Sequence, residues 1–302
     1  MKCLCIVLIL CILTGCSYAL ELDELGFYHV LAADCGAVTT VSHPDDQDKP
    51  PVLRTGRGAT PPAALADAGR GNEQMPFLGG VSHLLIGDAL GGEDLNAALD
   101  MVFRDYSSRM DVYVFLVRDG KASEWAEAMA GSSQSVLDWL HNYEKKTKLG
   151  SPALKATVTR IVSGLAEEET VLIPSVGMPF DAGVPAGADE ESGKRLTCRP
   201  AGYAVARDNR VVAWVEPEDC PVLDALRMGK ERLAKFDAGG MRIEAELSRK
   251  GRQTLRAVIT HYDRHLEDPA AVLEGLLRDS AGKVRWLLEG MERVVIEVEV
   301  KP

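Results

Sequence analysis

The 302-residue chain sets 34 Lys and Arg against 45 Asp and Glu, a formal net charge of −11 at neutral pH. That balance excludes nucleic acid as a partner and gives the surface no electrostatic attraction to anionic lipid headgroups. The 46% hydrophobic content is ordinary for a globular protein, and the length suits one large domain or two modest ones.

The chain opens with Met1-Lys2, an apolar run from Cys3 to Ile12, and then Leu13-Thr14-Gly15-Cys16. One positive charge, an apolar core and small residues before a cut site form the three parts of a secretory signal. The run is shorter than the roughly 20 residues a spanning helix needs. Leu13-Thr14-Gly15-Cys16 has the form of a lipobox, in which the cysteine receives diacylglycerol and becomes the first residue of the mature chain. Residues 1–15 are therefore expected to be removed and Cys16 to carry lipid that holds the protein at a bilayer. Losing Lys2 takes the net charge from −11 to −12. Of the seven cysteines, Cys3, Cys5 and Cys11 leave with the signal, and Cys35, Cys198 and Cys220 remain beside Cys16. This is no disulfide framework. Cys198 and Cys220 flank an expected hairpin, and a bridge between them is one reading of that spacing.

After an acidic lead-in at Glu21–Leu25, Phe27–Ala33 reads as a strand and His43–Pro51 as a polar turn. Val52–Thr55 is a second strand. Thr60-Pro61 places an N-cap and a first-turn proline ahead of a helix reaching Ala68, closed by Gly69–Asn72. Val81–Ile86 is a strand, and Leu95, Ala98, Leu99 and Val102 predict a helix over residues 93–104. Val112–Val117 is an apolar run suited to a buried strand. Helices are expected over Ala122–Met129, Ser135–Lys146 and Ala153–Leu165, with a strand at Val171–Val176. Residues 181–196, rich in Gly, Ala, Pro and acids, read as an exposed connection and a domain boundary. Gly202–Ala206 and Val211–Val215 form an expected hairpin turning at Asp208-Asn209, which tolerate positive φ. A helix follows from Glu216-Pro217-Glu218 to Met228. Then come strands at Met241–Leu247 and Thr254–Ile259, helices at Pro269–Leu277 and Lys283–Met291, and a final strand at Val294–Val300.

Motifs for chemistry are sparse. His261 and His265 stand four apart but lack the glutamate or cysteine partners of a zinc motif, and suit a polar surface connection. His29 reads as a sheet residue. No GxSxG nucleophile elbow is present. Gly56-Arg57-Gly58 and Gly69-Arg70-Gly71 do not continue into a phosphate loop. Glu167-Glu168-Glu169 and Asp189-Glu190-Glu191 lack the alternating spacing of a calcium loop and read as solvated faces. Two carboxylates from distant segments, as a glycoside hydrolase uses, leave no spacing to recognise. No metal or cofactor is expected.

Longer segments carry a resemblance. Val81-Ser82-His83-Leu84-Leu85-Ile86-Gly87-Asp88-Ala89-Leu90, the helix from Leu95 to Arg104-Asp105, and Val112–Val117 leading to Gly120-Lys121-Ala122 follow one another in order. Together they resemble the Ger(x)C family, the lipoprotein C subunits of spore germinant receptors. That family runs a strand into "IIGE", an acidic helix ending in "RD", and a strand before "G-x-A". Ala201–Val215 is similar to the family's "GxAVFKDDKLVGWL" hairpin, Glu21–Leu25 to its "ElndLa" start, and Thr55-Gly56-Arg57-Gly58 to its "xGEG" turn. The colinear segments span most of residues 16 to about 230. Two departures stand out: Ser17-Tyr18 replaces a tryptophan often found after the lipidated cysteine, and the region after Lys230 is short for the family.

The resulting expectation is an α+β protein of mixed sheets with flanking helices in more than one domain. It divides into a signal (1–15), a lipid-anchored tether (16–22), an N-terminal domain (23–196) and a shortened C-terminal domain (197–302). The resemblance implies a non-enzymatic subunit lipid-anchored at the spore inner membrane, acting beside germinant receptor A and B type membrane subunits. The alternatives are a solute-binding lipoprotein, which needs two similar lobes around a cleft, and a cell-wall hydrolase, which needs facing carboxylates or a metal triad.

Overall fold

The structure is a computed structural model and describes residues 25–43, 50–70, 75–132, 135–145, 156–181, 196–229, 231–251, 253–288, 291 and 293–301. The expected signal, Cys16, Asp189-Glu190-Glu191 and nearly all of the 181–196 connection lie outside these residues.

Four parallel strands form the centre of an eight-stranded sheet: β2 (Val30–Asp34), β6 (His83–Gly87), β7 (Tyr113–Val117) and β8 (Val171–Val176). β2 and β6 are buried at every residue, which accounts for their continuous apolar runs: helices cover both faces of a parallel sheet. Antiparallel strands close each side. β3 (Ala37–Ser42) and β4 (Val52–Arg57) extend the sheet beyond β2, and β11 (Pro200–Arg207) and β12 (Arg210–Val215) extend it beyond β8. Short pairs, β1 (Leu25–Phe27) with β5 (Met75–Phe77) and β9 (Phe180–Asp181) with β10 (Leu196–Thr197), lie outside it.

Helices α1 (Pro61–Arg70), α2 (Asp88–Phe103) and α5 (Val158–Ala166) cover one face, burying Leu65, Leu95, Leu99 and Ile161 against Leu31, Leu84, Leu116 and Ile173. α3 (Ala122–Ala130) and α4 (Val136–Lys145) cover the other through Trp125, Met129, Trp139 and Leu140. α3 begins directly under the end of β2. Both Asp34 carboxylate oxygens accept backbone N–H bonds there, from Ala122 at 2.8 Å and Ser123 at 2.9 Å, and the negative charge suits a helix N-terminus.

A second sheet follows: β13 (Arg232–Ala238), β14 (Met241–Lys250) and β15 (Thr254–Tyr262) run antiparallel, and β16 (Val295–Val300) pairs parallel to β15. It packs with α6 (Cys220–Met228) and α7 (Pro269–Val284) into a core that also takes Leu172, Tyr203, Val205 and Val215 from the first sheet. Along β11, Ala204 and Ala206 face the α1–α2–α5 side, while Tyr203 and Val205 face α6. Strand alternation thus puts α6 and the second sheet on the face that carries α3 and α4.

Among the described residues the fold is α+β with seven helices and sixteen strands in several mixed sheets, as expected. The 196–197 boundary, however, falls inside the large sheet. β11 is hydrogen bonded to β8 from Val171 to Val176, so the 200–215 hairpin completes the first sheet. Its turn has the expected geometry, with Asp208 at φ 52° and Asn209 at φ 60°. The helix expected at 93–104 is the second part of a longer one: α2 kinks at Asp94, whose side chain accepts from Ala97 N–H at 3.1 Å.

Candidate functional site

A cavity of about 370 Å³ opens where the two sheets' helices meet, between α5, the start of β8 and α6. Thr157 caps α5, its hydroxyl accepting from Arg160 N–H at 3.4 Å, and the helix ends in the Glu167–Glu169 turn, with Glu168 at φ 58°. That turn brings Glu167 and Glu169 into the cavity lining, together with Arg160 and Arg227. The buried Ile161, Leu172 and Leu223 also line it.

Two polar knots hold the walls. Thr170 joins three segments: its hydroxyl accepts from Arg207 Nη2 at 2.6 Å and its carbonyl from Arg227 Nη2 at 3.1 Å. Asp224, on α6, is buried. Its carboxylate accepts from Tyr203 Oη at 2.6 Å and faces Arg232 Nη2 at 3.3 Å. A buried ion pair with a second hydrogen bond costs desolvation and returns it only with both partners present. Charges of both signs beside buried aliphatic side chains, in a volume near the lower end of small-ligand sites, suit a small polar molecule or a partner's side chain. Among the described residues the lining contains no His or Cys.

A second junction lies at the far end of β7. Arg118 makes a bidentate pair with Glu216, at 2.8 and 2.7 Å, and its guanidinium lies 5.2 Å from the centre of the Trp214 ring. The hydrogen bonds from Arg118 hold the Glu216 carboxyl below its usual range, against a smaller opposing effect of burial. A depressed folded-state pKa contributes stability above the ordinary carboxylate range and loses it as pH falls through the folded value. Glu216→Gln is therefore expected to lower stability by about 0.5–1 kcal/mol at neutral pH, because the pair is partly solvated. The difference from wild type should vanish in acid, as read from urea midpoints at both pH values.

The residues singled out in the sequence fall in different places. Cys16 lies outside the described residues. Cys198 and Cys220 are free thiols, so the bridge that their spacing left open is not made. Cys198 packs under α3 with its sulfur 3.6 Å from that of Met129, and Cys220 donates to Glu216 O at the start of α6. Burial pushes the Cys198 thiol up to about 12 and the Cys220 thiol well above its ordinary value, which leaves both unreactive. His261 is the penultimate residue of β15 and His265 lies in the loop after it, so no helix brings them together. No group of three metal-ligating side chains occurs among the described residues.

The glycine segments are structural. Gly56 lies in β4 where a Cβ would stand 2.1 Å from Ala64 O, so strand and α1 touch backbone to backbone. Gly202, at φ 84°, would put a Cβ 1.8 Å from Val215 O, and only glycine fits that irregular point of β11.

Histidines are where the sequence reading saw least. His29 occupies the bend between β1 and β2, its ring 5.5 Å from that of His43, and His83 lies 5.1 Å from His141 of α4. Burial, and then the neighbouring His29, lower the pKa of His43. These four residues come from four separated segments, so no local spacing announces them.

Comparison with known families gives one finding. The family model described as the spore germination protein N-terminal domain matches residues 21–178, the segment that contains β1 to β8 and all of α1 to α5. Neither the search of curated proteins nor that of solved structures returned a match.

Proposed function

Since the chain belongs to the spore germination protein family, whose N-terminal domain it carries at residues 21–178, we propose that it is a lipid-anchored, non-catalytic subunit of a nutrient germinant receptor. The family match is the observation that carries this reading. The lipobox ending at Cys16 supports the anchor, and the cavity, lined by charged and aliphatic side chains, offers a place to bind a small polar group. No helix among the described residues is long and apolar enough to cross a membrane.

In this reading the signal at 1–15 exports the chain, lipid on Cys16 holds it on the outer face of the spore inner membrane, and A and B type membrane subunits are its partners. The large sheet, completed by the 200–215 hairpin, forms one functional unit, and the residues from α6 onward form a second, shorter one. The solute-binding alternative calls for two similar lobes, whereas an eight-stranded mixed sheet here meets a four-stranded one.

Acylation tests the anchor. The expected result is a mature N-terminal peptide beginning at Cys16 with the mass of bound acyl chains, and partition of the protein into the detergent phase. Cys16→Ala should shift the protein to the aqueous phase. A mature chain beginning elsewhere, or an unmodified Cys16, would refute it.

A further inference from the structure

Tyr106 and Met110 are the two most exposed large apolar side chains among the described residues, at 88% and 72%. They stand on the loop between α2 and β7, beside Phe103 at the end of α2. The loop is fixed at both ends. Leu78 N–H donates to Ser107 Oγ at 3.0 Å, and Thr159 Oγ1 donates to Met110 O at 2.7 Å. The Leu78 contact brings the loop against the end of β5, where Phe77 meets the exposed Phe27 of β1 edge-on, with ring centres 5.3 Å apart.

All these side chains lie at the edge where the parallel strands begin, and the anchor enters the fold at the same edge. Cys16 is nine residues before Leu25, so even a fully extended tether spans only about 30 Å. β1 and its aromatic neighbours must then stay within that distance of the membrane surface. The charges of the loop are already matched within the protein. Arg109 pairs with Asp111 through two bonds of 2.9 and 2.8 Å, Arg104 pairs with Asp100, and Asp105 accepts from Ser107 N–H at 2.8 Å. Lowering the loop to a headgroup layer therefore strips water from no charged side chain of its own that lacks a partner. Tyr and Phe are also side chains that favour the membrane–water interface.

We infer that this edge, with Tyr106 and Met110 at its tip and Phe103 and Phe27 beside them, rests in the bilayer interface and sets the orientation of the anchored protein. The inference rests on the lipid anchor at Cys16. The contact is apolar, so it needs no anionic lipid, in keeping with the acidic chain. The opposite edge, where Cys35 follows β2, then faces away from the membrane.

The acylated full-length protein on phosphatidylcholine vesicles provides the test. A nitroxide on the native, exposed Cys35 reports the far edge, and one on Met110→Cys in a Cys35→Ser background reports the near edge; the buried Cys198 and Cys220 stay unlabelled. The expected result is that the ratio of oxygen to nickel-chelate accessibility is several-fold higher at 110 than at 35. Equal, water-like accessibility at both positions, with the acyl mass confirmed, would overturn the inference and leave the anchor standing. That result would assign the patch to a protein partner. Absence of the acyl group would overturn the anchor, and this inference with it.

Discussion

Asp224→Ala is expected to destabilise the folded protein by about 3–5 kcal/mol, the range found when one member of a buried ion pair is removed. Asp224 and Arg232 are 1% and 7% exposed, so water cannot replace the lost carboxylate, and the phenol of Tyr203 loses its acceptor at the same time. The three residues come from α6, β13 and β11 and tie the second sheet to the hairpin that completes the first. Asp224→Asn keeps an acceptor for Tyr203 but not the charge, and should fall between alanine and wild type. Urea unfolding followed by circular dichroism reads the difference. A loss below about 1 kcal/mol for Asp224→Ala would show the pair to be no stronger than a solvated surface bridge. Since Asp224 also lines the cavity, the same variant should widen it.

The parts of the fold that the sequence announces are those in which local pattern and tertiary role coincide. Val112–Val117 is apolar throughout, and Val171–Val176 is so apart from Ser175, because helices cover both faces of their strands, and both are found in the centre of the sheet. Asp208-Asn209 marks its hairpin because both residues take positive φ. The elements that were missed carry polar residues for reasons only the fold supplies. β3 includes Thr39 and Thr40, both buried; the Thr39 hydroxyl meets that of Thr55 on β4 at 2.7 Å, so the strand satisfies its polar groups across the sheet. β13 alternates Arg232, Lys235 and Asp237 with apolar residues, and the burial of Arg232 follows from Asp224 eight positions earlier on a helix. α7 reads as two pieces because of Asp279 and Ser280, yet Ser280 is buried and donates to Asp219 at 2.5 Å.

The site was less legible than the fold. Glu167–Glu169 looks like a solvated run, and its place in a cavity lining follows from α6 arriving from residues 220–228. Cys198 and Cys220 flank the hairpin in sequence, but each enters a different hydrophobic cluster, and burial as free thiols leaves the same trace in a sequence as a bridge would. Gly56 and Gly202, in contrast, belong to the segments that carry the family resemblance. Their role is visible in the backbone contacts they allow, which gives those short motifs a physical reason.

The second large effect concerns Cys16. A tethered domain meets its membrane partners at an effective concentration in the millimolar range, so modest contacts suffice to keep it in the complex. Without the lipid the same contacts must work at the bulk concentration of a soluble protein, and occupancy falls by orders of magnitude. The most direct measurement of the proposed role is therefore the nutrient-triggered germination of spores that carry Cys16→Ala, with the variant's amount and fractionation monitored in the same spores. The predicted result is a variant that accumulates in the soluble fraction, with the response through this receptor lost. A normal response from spores whose protein is demonstrably unanchored would contradict it.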